Sequence, residues 1–198
     1  MNYLIILAHP KLQSFSHEIN TKLKENLEKG GRQVKVRDLY KINFNPILTE
    51  EEQSNNKRKK QSNDIISEQK YISWADEILF IYPLWWNAFP AILKGYIDRV
   101  FTNGFAFHIG SNGPEGLLKG KKVQLITTAG MDEESLIHSS IYEGLKITQD
   151  HGVFEFCGME VREHLYVTRV TSLTAEEKQK VLDKLVKEIV EKERVNSH

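Results

Sequence analysis

Runs of consecutive apolar residues, alternating with segments of helical spacing, most strongly limit what this chain can fold into. Residues 3–8 and 78–81 are continuous apolar runs, as expected of strands that are covered on both faces. Between the first two predicted strands, Ile19, Leu23 and Leu27 recur at helical spacing. Strands that alternate with helices favour a parallel sheet with helices on both faces. The sequence therefore predicts a doubly wound α/β fold.

The same patterns give a complete set of predicted elements, which we assign to a single domain spanning residues 1–198. Five strands are predicted at residues 3–8, 33–38, 77–81, 122–127 and 161–167, in the spatial order 2-1-3-4-5. Helices are predicted from an N-cap at Ser16, from a cap at Asp64, over residues 91–100, over about 139–151, and after a capping box at Thr174. Residues 43–63 and 102–119 are predicted connections.

Charge and cysteine content exclude several classes of protein. The chain has 27 basic and 27 acidic side chains, which argues against a general binder of nucleic acid or anionic membranes. Residues 57–60 form a basic run that is either a solvated face or a means of recruiting a phosphate. The single cysteine, Cys157, cannot form an intrachain disulfide, which fits a cytoplasmic protein. The apolar start is predicted to be a strand rather than a signal peptide.

An aromatic connection follows the third predicted strand. Residues 82–95 include two prolines, Pro83 and Pro90, and three large aromatic residues, Trp85, Trp86 and Phe89. Loops run over the surface, where exposed rings are costly. Either these rings pack under the fold, or they form a rigid platform for a flat ligand at the carboxyl end of a strand.

Two further loops are predicted to meet this connection at the same edge of the sheet. Residues 13–16 offer hydroxyls and backbone N–H groups at the start of the first helix, which suits a phosphate, although an ordinary helix cap explains them as well. Residues 127–130 offer hydroxyls and a glycine that permits close approach of the backbone. A phosphate cradle, a ring platform and a polar rim together predict a flavin site. No metal ligands are predicted.

The sequence resembles a known family, the NAD(P)H:quinone oxidoreductases related to DT-diaphorase, which have a flavodoxin-like fold. The matching stretches keep their order along most of the chain: His9 with residues 14–16, residues 38–40, residues 43–47, Pro83-Leu84-x-Trp86, residues 90–95, residues 99–101, residues 127–130 and residues 156–158. The resemblance implies two-electron hydride transfer from NAD(P)H through bound flavin to a quinone or similar flat acceptor, with ping-pong kinetics.

The resemblance also implies roles for residues. The cofactor is expected to be FAD, with FMN as the alternative and NAD(P)H as co-substrate, and it would be bound by His9, Gln13, Ser14, Phe15, Ser16, Pro83, Leu84, Trp85, Trp86, Asn87, Thr127, Thr128, Ala129 and Gly130. Backbone N–H groups of residues 128–130 are expected to stabilise negative charge on the reduced ring. Phe105 and Phe107, with Met131, are expected to close the quinone pocket, with a partner subunit contributing because members of the family are homodimers.

The chain departs from the family in places. No tyrosine matches the one that animal members use with a histidine in charge relay, so His138 and Tyr142 are the candidate catalytic residues. His138 is also explained as an exposed or capping histidine. The family's long C-terminal extension has no counterpart here, which would leave the adenine end of FAD less enclosed. The alternative function is a regulatory flavoprotein subunit of a potassium-efflux transporter, with residues 57–60 as its docking patch. A one-electron carrier fits less well, because such carriers are acidic.

Overall fold

A computed structural model describes residues 1–53 and 61–191 of the chain. The basic run at residues 57–60 lies outside the described residues. The described residues contain seven strands: β1 (Asn2–Leu7), β2 (Gln33–Asp38), β3 (Glu77–Pro83), β4 (Phe107–Gly110), β5 (Gly113–Gly116), β6 (Lys122–Thr128) and β7 (Glu160–Val167). The α-helices that lie wholly within the described residues are α1 (Phe15–Lys29), α2 (Asn63–Trp74), α3 (Ala91–Val100), α4 (Glu133–His138), α5 (Ile141–Leu145) and α6 (Ala175–Val186). Wider π-helical turns, Lys146–Glu155 and Lys187–Glu191, follow α5 and α6.

The main sheet has five parallel strands, as predicted, in the order β2-β1-β3-β6-β7. The predicted numbering, 2-1-3-4-5, did not count the antiparallel hairpin of β4 and β5, which stands apart from the sheet. The hairpin lies in the connection that was predicted to be irregular. Gly116 packs there against backbone: a Cβ at this position would lie 2.3 Å from the carbonyl carbon of Cys157.

Alternating side chains of each central strand serve two separate cores. In β1, Leu4 and Ile6 face the core on the side of α2 and α3, whereas Tyr3, Ile5 and Leu7 face the core on the side of α1 and α6. Every residue from β3 is buried, because helices cover the sheet on both faces. The continuous apolar runs therefore identified the central strands correctly.

Two predicted helix caps are wrong by a turn or less. The N-cap of α1 is Ser14, whose hydroxyl accepts from the backbone N–H of His17, and Ser16 lies inside the first turn. The N-cap of α2 is Ser62 rather than Asp64. In both places two polar residues compete for the cap, and the pattern alone does not decide between them. The capping box at Thr174 and Glu177 is confirmed.

The helix predicted over about residues 139–151 is found over residues 141–155, but it changes from α-helical to π-helical turns after Leu145. Helix α4 ends at His138, Ser140 adopts a left-handed φ of 58°, and α5 then continues into the π-helical turns. Within residues 1–53 and 61–191, no helix is both long and apolar enough to cross a membrane.

Candidate functional site

The loops that follow β1, β3 and β6 meet at the carboxyl edge of the sheet and are joined by hydrogen bonds. The hydroxyls of Ser16 and Thr128, which lie 112 residues apart in the chain, share a buried hydrogen bond of 3.2 Å. The backbone N–H of Leu84 donates to the carbonyl of Thr128 at 2.7 Å. Thr128 therefore ties the third loop to both of the others, and the predicted convergence of the three loops is confirmed.

The first loop presents the N-terminus of α1. Ser14, the N-cap residue, also contacts a histidine: its Oγ is 2.9 Å from Nδ1 of His17, whose Nε2 is 3.2 Å from a carboxylate oxygen of Asp38. Ser14, Phe15 and Ser16 are buried and Gln13 is exposed. Because α1 is 15 residues long and its first N–H groups point out of the helix, this end suits an anion.

Two further basic groups stand beside this helix start. Burial and the neighbouring His17 lower the pKa of His9, whose ring lies 6.3 Å from that of His17 and 6.0 Å from that of Trp85. Lys178, on α6, places its Nζ 5.6 Å from the ring of Phe15. Neither His17 nor Lys178 was predicted from the sequence. The spacing of three residues between Ser14 and His17 could have identified His17, whereas no sequence pattern marks Lys178.

The second loop makes a tight left-handed turn at its tip. Trp86 and Asn87 have φ values of 52° and 53°, and the N–H of Ala88 donates to the carbonyl of Trp85. Positive φ at both central residues is the geometry of a type I′ turn, and it is strained for a tryptophan. Trp86 is 99% exposed and Trp85 is 41% exposed. The interpretation that these rings pack under the fold is therefore wrong for Trp86.

The end of the second loop does pack inward. Phe89 is partly buried, with its ring 5.1 Å from that of Tyr82, and Pro90 is the buried N-cap residue of α3. Pro83 is buried at the end of β3, while Asn87 is exposed. The loop thus has an anchored base and an aromatic tip that lies open beside His9.

The third loop is more fully hydrogen-bonded than predicted. Thr127, Thr128 and Ala129 are buried, and the N–H of Ala129 donates to the carbonyl of Val167 at 2.8 Å. The prediction that all N–H groups of residues 128–130 face a ligand is therefore wrong for Ala129, because β7 extends alongside and takes this donor. Gly130 is exposed, and a Cβ there would meet nothing within 4 Å.

A buried polar cluster that was not predicted from the sequence lies behind the third loop. The Nε2 of His164 is 2.9 Å from Oγ1 of Thr127, and its Nδ1 is 2.8 Å from Oδ1 of Asp150. Tyr82 donates from its hydroxyl to Oε1 of Gln149 at 2.6 Å. The Thr127 side chain thus faces away from the loop, toward β7 and the π-helical turns.

The two candidate catalytic residues have different surroundings. His138 is exposed at the end of α4, with Nδ1 2.9 Å from the carbonyl oxygen of Glu134. Tyr142 is partly buried, with its ring 5.3 Å from the ring of Tyr166. Tyr166 in turn stacks on His164 at 4.2 Å. Of the two, Tyr142 is the one that adjoins the buried cluster.

The residues predicted to close a quinone pocket are also separated. Phe107 packs on Phe156 at 5.4 Å and lines a cleft of about 550 Å³ between α3, the hairpin and the π-helical turns. None of the residues that line this cleft belongs to the three loops. Phe105 is partly buried against the core, and Met131 lies next to the third loop, where its carbonyl accepts from the N–H of Arg169. Of these three residues, Met131 directly follows the third loop in the chain.

Comparison with known proteins gives a consistent set of relatives. A family described by its flavodoxin-like fold matches residues 1–192. The chain is 40% identical over 161 residues to an NAD(P)H oxidoreductase of Haemophilus influenzae, covering 81% of this chain and 80% of the relative. It is 33% identical over 180 residues to NAD(P)H dehydrogenase [quinone] 1 of Cavia porcellus, covering 81% of this chain and 66% of the relative.

A solved structure extends the likeness to three dimensions. The NAD(P)H:quinone oxidoreductase from Methanothermobacter marburgensis superposes with a TM-score of 0.84 at 28% identity, over 93% of this chain and 94% of that chain. These oxidoreductases give no support to the alternative of a transporter subunit.

Proposed function

We propose that this chain, which belongs to the NAD(P)H:quinone oxidoreductase family, is an NAD(P)H dehydrogenase (quinone). The reaction is a two-electron hydride transfer from NAD(P)H, by way of a bound flavin, to a quinone or similar flat acceptor. The convergence of three loops at Thr128 carries this proposal, because it sets an anion site, an aromatic loop and a polar rim side by side. Crevices at the carboxyl ends of parallel strands are where such folds bind ligands.

The described residues fit a flavin. The start of α1 supplies a capping hydroxyl, Ser14, and free N–H groups for a phosphate, and His9 and Lys178 stand near it. The tip of the second loop offers the half-exposed ring of Trp85 to a flat ring system. We propose FAD as the cofactor, with FMN as the alternative.

The flavin supplies the hydride chemistry, and the protein contributes orientation and electrostatics. The dipole of α1 and the Lys178 ammonium beside it would hold the phosphate end. Pro83, buried at the end of β3, fixes where the second loop leaves the sheet, and so sets the position of its aromatic tip. The resemblance to the family implies that the nicotinamide and the quinone would use the same site in turn, which predicts ping-pong kinetics.

We further propose that two copies of the chain form a cytoplasmic homodimer. Phe107 lines a cleft that contains no residue of the three loops, together with Ile109, which is 62% exposed. Trp86 is almost fully exposed at the tip of the second loop. A second copy would cover such apolar surface, and would allow Phe105 and Phe107 to reach the partner's site.

The first experiment is to purify the protein, identify any flavin that it releases by chromatography, and follow NAD(P)H oxidation with a quinone. We expect a yellow protein and parallel double-reciprocal lines. A colourless protein that does not bind added FMN or FAD would contradict the proposal, and intersecting lines would contradict the shared slot.

A second experiment tests whether the cofactor phosphate binds at the start of α1. Ser14→Asp keeps an acceptor at the N-cap but adds a negative charge where the phosphate is proposed to bind. We expect weaker binding of FMN and unchanged binding of riboflavin, the matched ligand without a phosphate. Equal losses for both ligands, or no loss for either, would remove the start of α1 from the site.

A further inference from the structure

A fourth loop, residues 168–174 after β7, supports the third loop on the side opposite to the second loop. The N–H of Arg169 donates to the carbonyl of Met131 at 2.9 Å, and the N–H of Val170 donates to the carbonyl of Ala129 at 3.0 Å. These two bonds hold the residues on both sides of Gly130, which is exposed. The backbone of Arg169 is therefore fixed directly beside the rim of the proposed flavin site.

Arg169 has a backbone conformation that favours glycine. Its φ is 53°, in the left-handed region, and the turn continues with the N–H of Ser172 donating to the carbonyl of Arg169 at 2.9 Å. Glycine adopts such a φ without strain, whereas a residue with a side chain pays a free-energy cost there. Strained residues cluster at functional sites, so an arginine at this position points to a role for its guanidinium.

The guanidinium of Arg169 is open to a ligand. Its side chain is 57% exposed, and its Nη2 lies 3.7 Å from Oε1 of Glu177, which is an ion pair beyond hydrogen-bond distance. Within residues 1–53 and 61–191 this guanidinium donates no hydrogen bond to another side chain or carbonyl. A guanidinium has five N–H donors in a planar arrangement that matches the oxygens of a carboxylate or a phosphate.

Two carboxylates lie near Arg169, but helix starts already engage them. Asp132 accepts from the N–H and the hydroxyl of Ser135, both at 2.8 Å, and Glu177 accepts from the N–H of Thr174 at 2.8 Å. These hydrogen bonds lower the pKa of both carboxyls, and the charge of Arg169 lowers it further. The two carboxylates therefore attract the guanidinium without satisfying its donors.

Other charged groups near Arg169 are balanced in sign. Glu176, in the first turn of α6, pairs with Lys180 at 2.6 Å. Glu133 and Lys184, which have opposite charges, line the same cavity as Arg169 between β7 and α6. The positive charge of Arg169 is therefore available to an anionic ligand.

We propose that Arg169 binds a phosphate of the NAD(P)H co-substrate and so selects hydride donors that carry a phosphate. The inference rests on the proposed function. When the nicotinamide ring lies on the flavin, the rest of the co-substrate leaves the site over its rim. Gly130 keeps the rim open, because a Cβ at this position would meet nothing within 4 Å. A phosphate that follows this route approaches the guanidinium on the other side of the third loop.

Arg169 then acts in the first half-reaction only. It binds the hydride donor and does not contact the atoms between which the hydride moves. The quinone carries no phosphate, so the second half-reaction does not depend on this guanidinium. NADH and NADPH share a pyrophosphate, and NADPH carries a further phosphate on its adenosine ribose, so a comparison of donors identifies which phosphate is bound.

The test compares Arg169→Gln with a matched control, Arg162→Gln. Arg162 lies on β7 and also has a loose ion pair, with Nε 3.6 Å from Oε1 of Glu160. The donors are NADPH, NADH, reduced nicotinamide mononucleotide and reduced nicotinamide riboside, which has no phosphate. We expect Arg169→Gln to raise the KM of phosphorylated donors about tenfold, as for the loss of one hydrogen bond between charged groups. The KM values for the riboside and for the quinone should not change, and Arg162→Gln should match the wild type with every donor.

The pattern of losses identifies the phosphate. A loss with NADPH alone assigns the phosphate on the adenosine ribose. A loss with NADH and NADPH assigns the pyrophosphate, and an equal loss with the mononucleotide places the contact at the phosphate next to the nicotinamide riboside. Each of these outcomes supports the inference.

A second variant, Arg169→Gly, separates binding from folding. Glycine suits the φ of 53°, so urea unfolding should show no loss of stability, while the KM of phosphorylated donors should rise as in Arg169→Gln. An equal loss with the riboside, no loss with any donor, or weaker flavin binding by either variant would overturn the inference, even if the wild type binds flavin and reduces quinones. A wild-type protein that binds no flavin would instead refute the proposed function.

Discussion

Thr128→Val tests the hydrogen bond that joins the first and third loops. Valine has nearly the shape of threonine and removes only the hydroxyl. The change leaves the backbone bond from Leu84 to the carbonyl of residue 128 in place. It therefore isolates the side-chain bond to Ser16.

The expected cost follows from the burial of the hydroxyl that loses its partner. Ser16 is 1% exposed and Thr128 is 3% exposed, so the orphaned Ser16 hydroxyl has little access to water. Leaving a buried polar group unsatisfied costs about 1–3 kcal/mol, whereas replacing both partners by apolar groups can be nearly neutral. We therefore expect Thr128→Val to destabilise the apoprotein by that amount, and the double variant with Ser16→Ala to recover most of the loss.

The assay is equilibrium urea unfolding of the four proteins of this double-mutant cycle, at one protein concentration and without cofactor. The free energies of unfolding are compared only if the slope of free energy against urea concentration is the same in all four proteins. Each difference then reflects a change in stability. Each 1 kcal/mol corresponds to about 2–4 °C in Tm for a chain of this size. A double variant whose loss equals the sum of the two single losses would show that the loops are not coupled, and would refute the reasoning.

Three other changes test separate parts of the structure. Trp86→Ala is expected to change the free energy of unfolding by less than about 0.5 kcal/mol, because the side chain is 99% exposed, but to weaken flavin or nicotinamide binding by about 0.5–1.5 kcal/mol in titrations. Gly95→Ala is expected to lower the free energy of unfolding in urea by about 1–3 kcal/mol, because a Cβ at residue 95 would lie 2.2 Å from the carbonyl oxygen of Pro46. Wild-type stability in this variant would show that the segment containing Pro46 does not pack against α3. Hydrogen bonding to Arg99 lowers the pKa of Glu52 from 4.5 in the folded protein. The stability that this pair contributes is therefore present above pH 4.5 and is lost as the pH falls through the lowered pKa of the folded state. The unfolding free energy of Arg99→Gln should lack that part of the pH dependence.

The central strands were predictable from sequence because a strand that is buried on both faces consists of consecutive apolar residues. Residues 3–8 and 78–81 are apolar without interruption, and the structure places them in β1 and β3. The hairpin of β4 and β5 has no such apolar run. It contains Gly110, Gly113 and Gly116, and has no regular alternation of apolar and polar residues.

The three loops were predictable as a group, but their hydrogen bonds were not. Topology alone brings the carboxyl ends of β1, β3 and β6 together. Which hydroxyl meets which depends on side-chain direction, so Ser16 faces Thr128 while Thr127 faces His164. The left-handed turn at Trp86 was also hidden, because no glycine marks it.

The buried histidine was missed for a related reason. His164 and Asp150 are 14 residues apart, and they come from a strand with mixed polarity and from π-helical turns that break the helical period. A pattern of residues along the chain cannot show that a histidine on an edge strand is covered by the segment before it. That information exists only once β7 is placed next to β6.

The most direct test of the central claim is a crystal structure of the protein with bound flavin. The proposed site predicts electron density for the phosphate at the start of α1, beside Ser14 and His9, and for the ring between the second loop and residues 128–130. Flavin bound instead in the cleft beside Phe107, or remote from all three loops, would contradict the account.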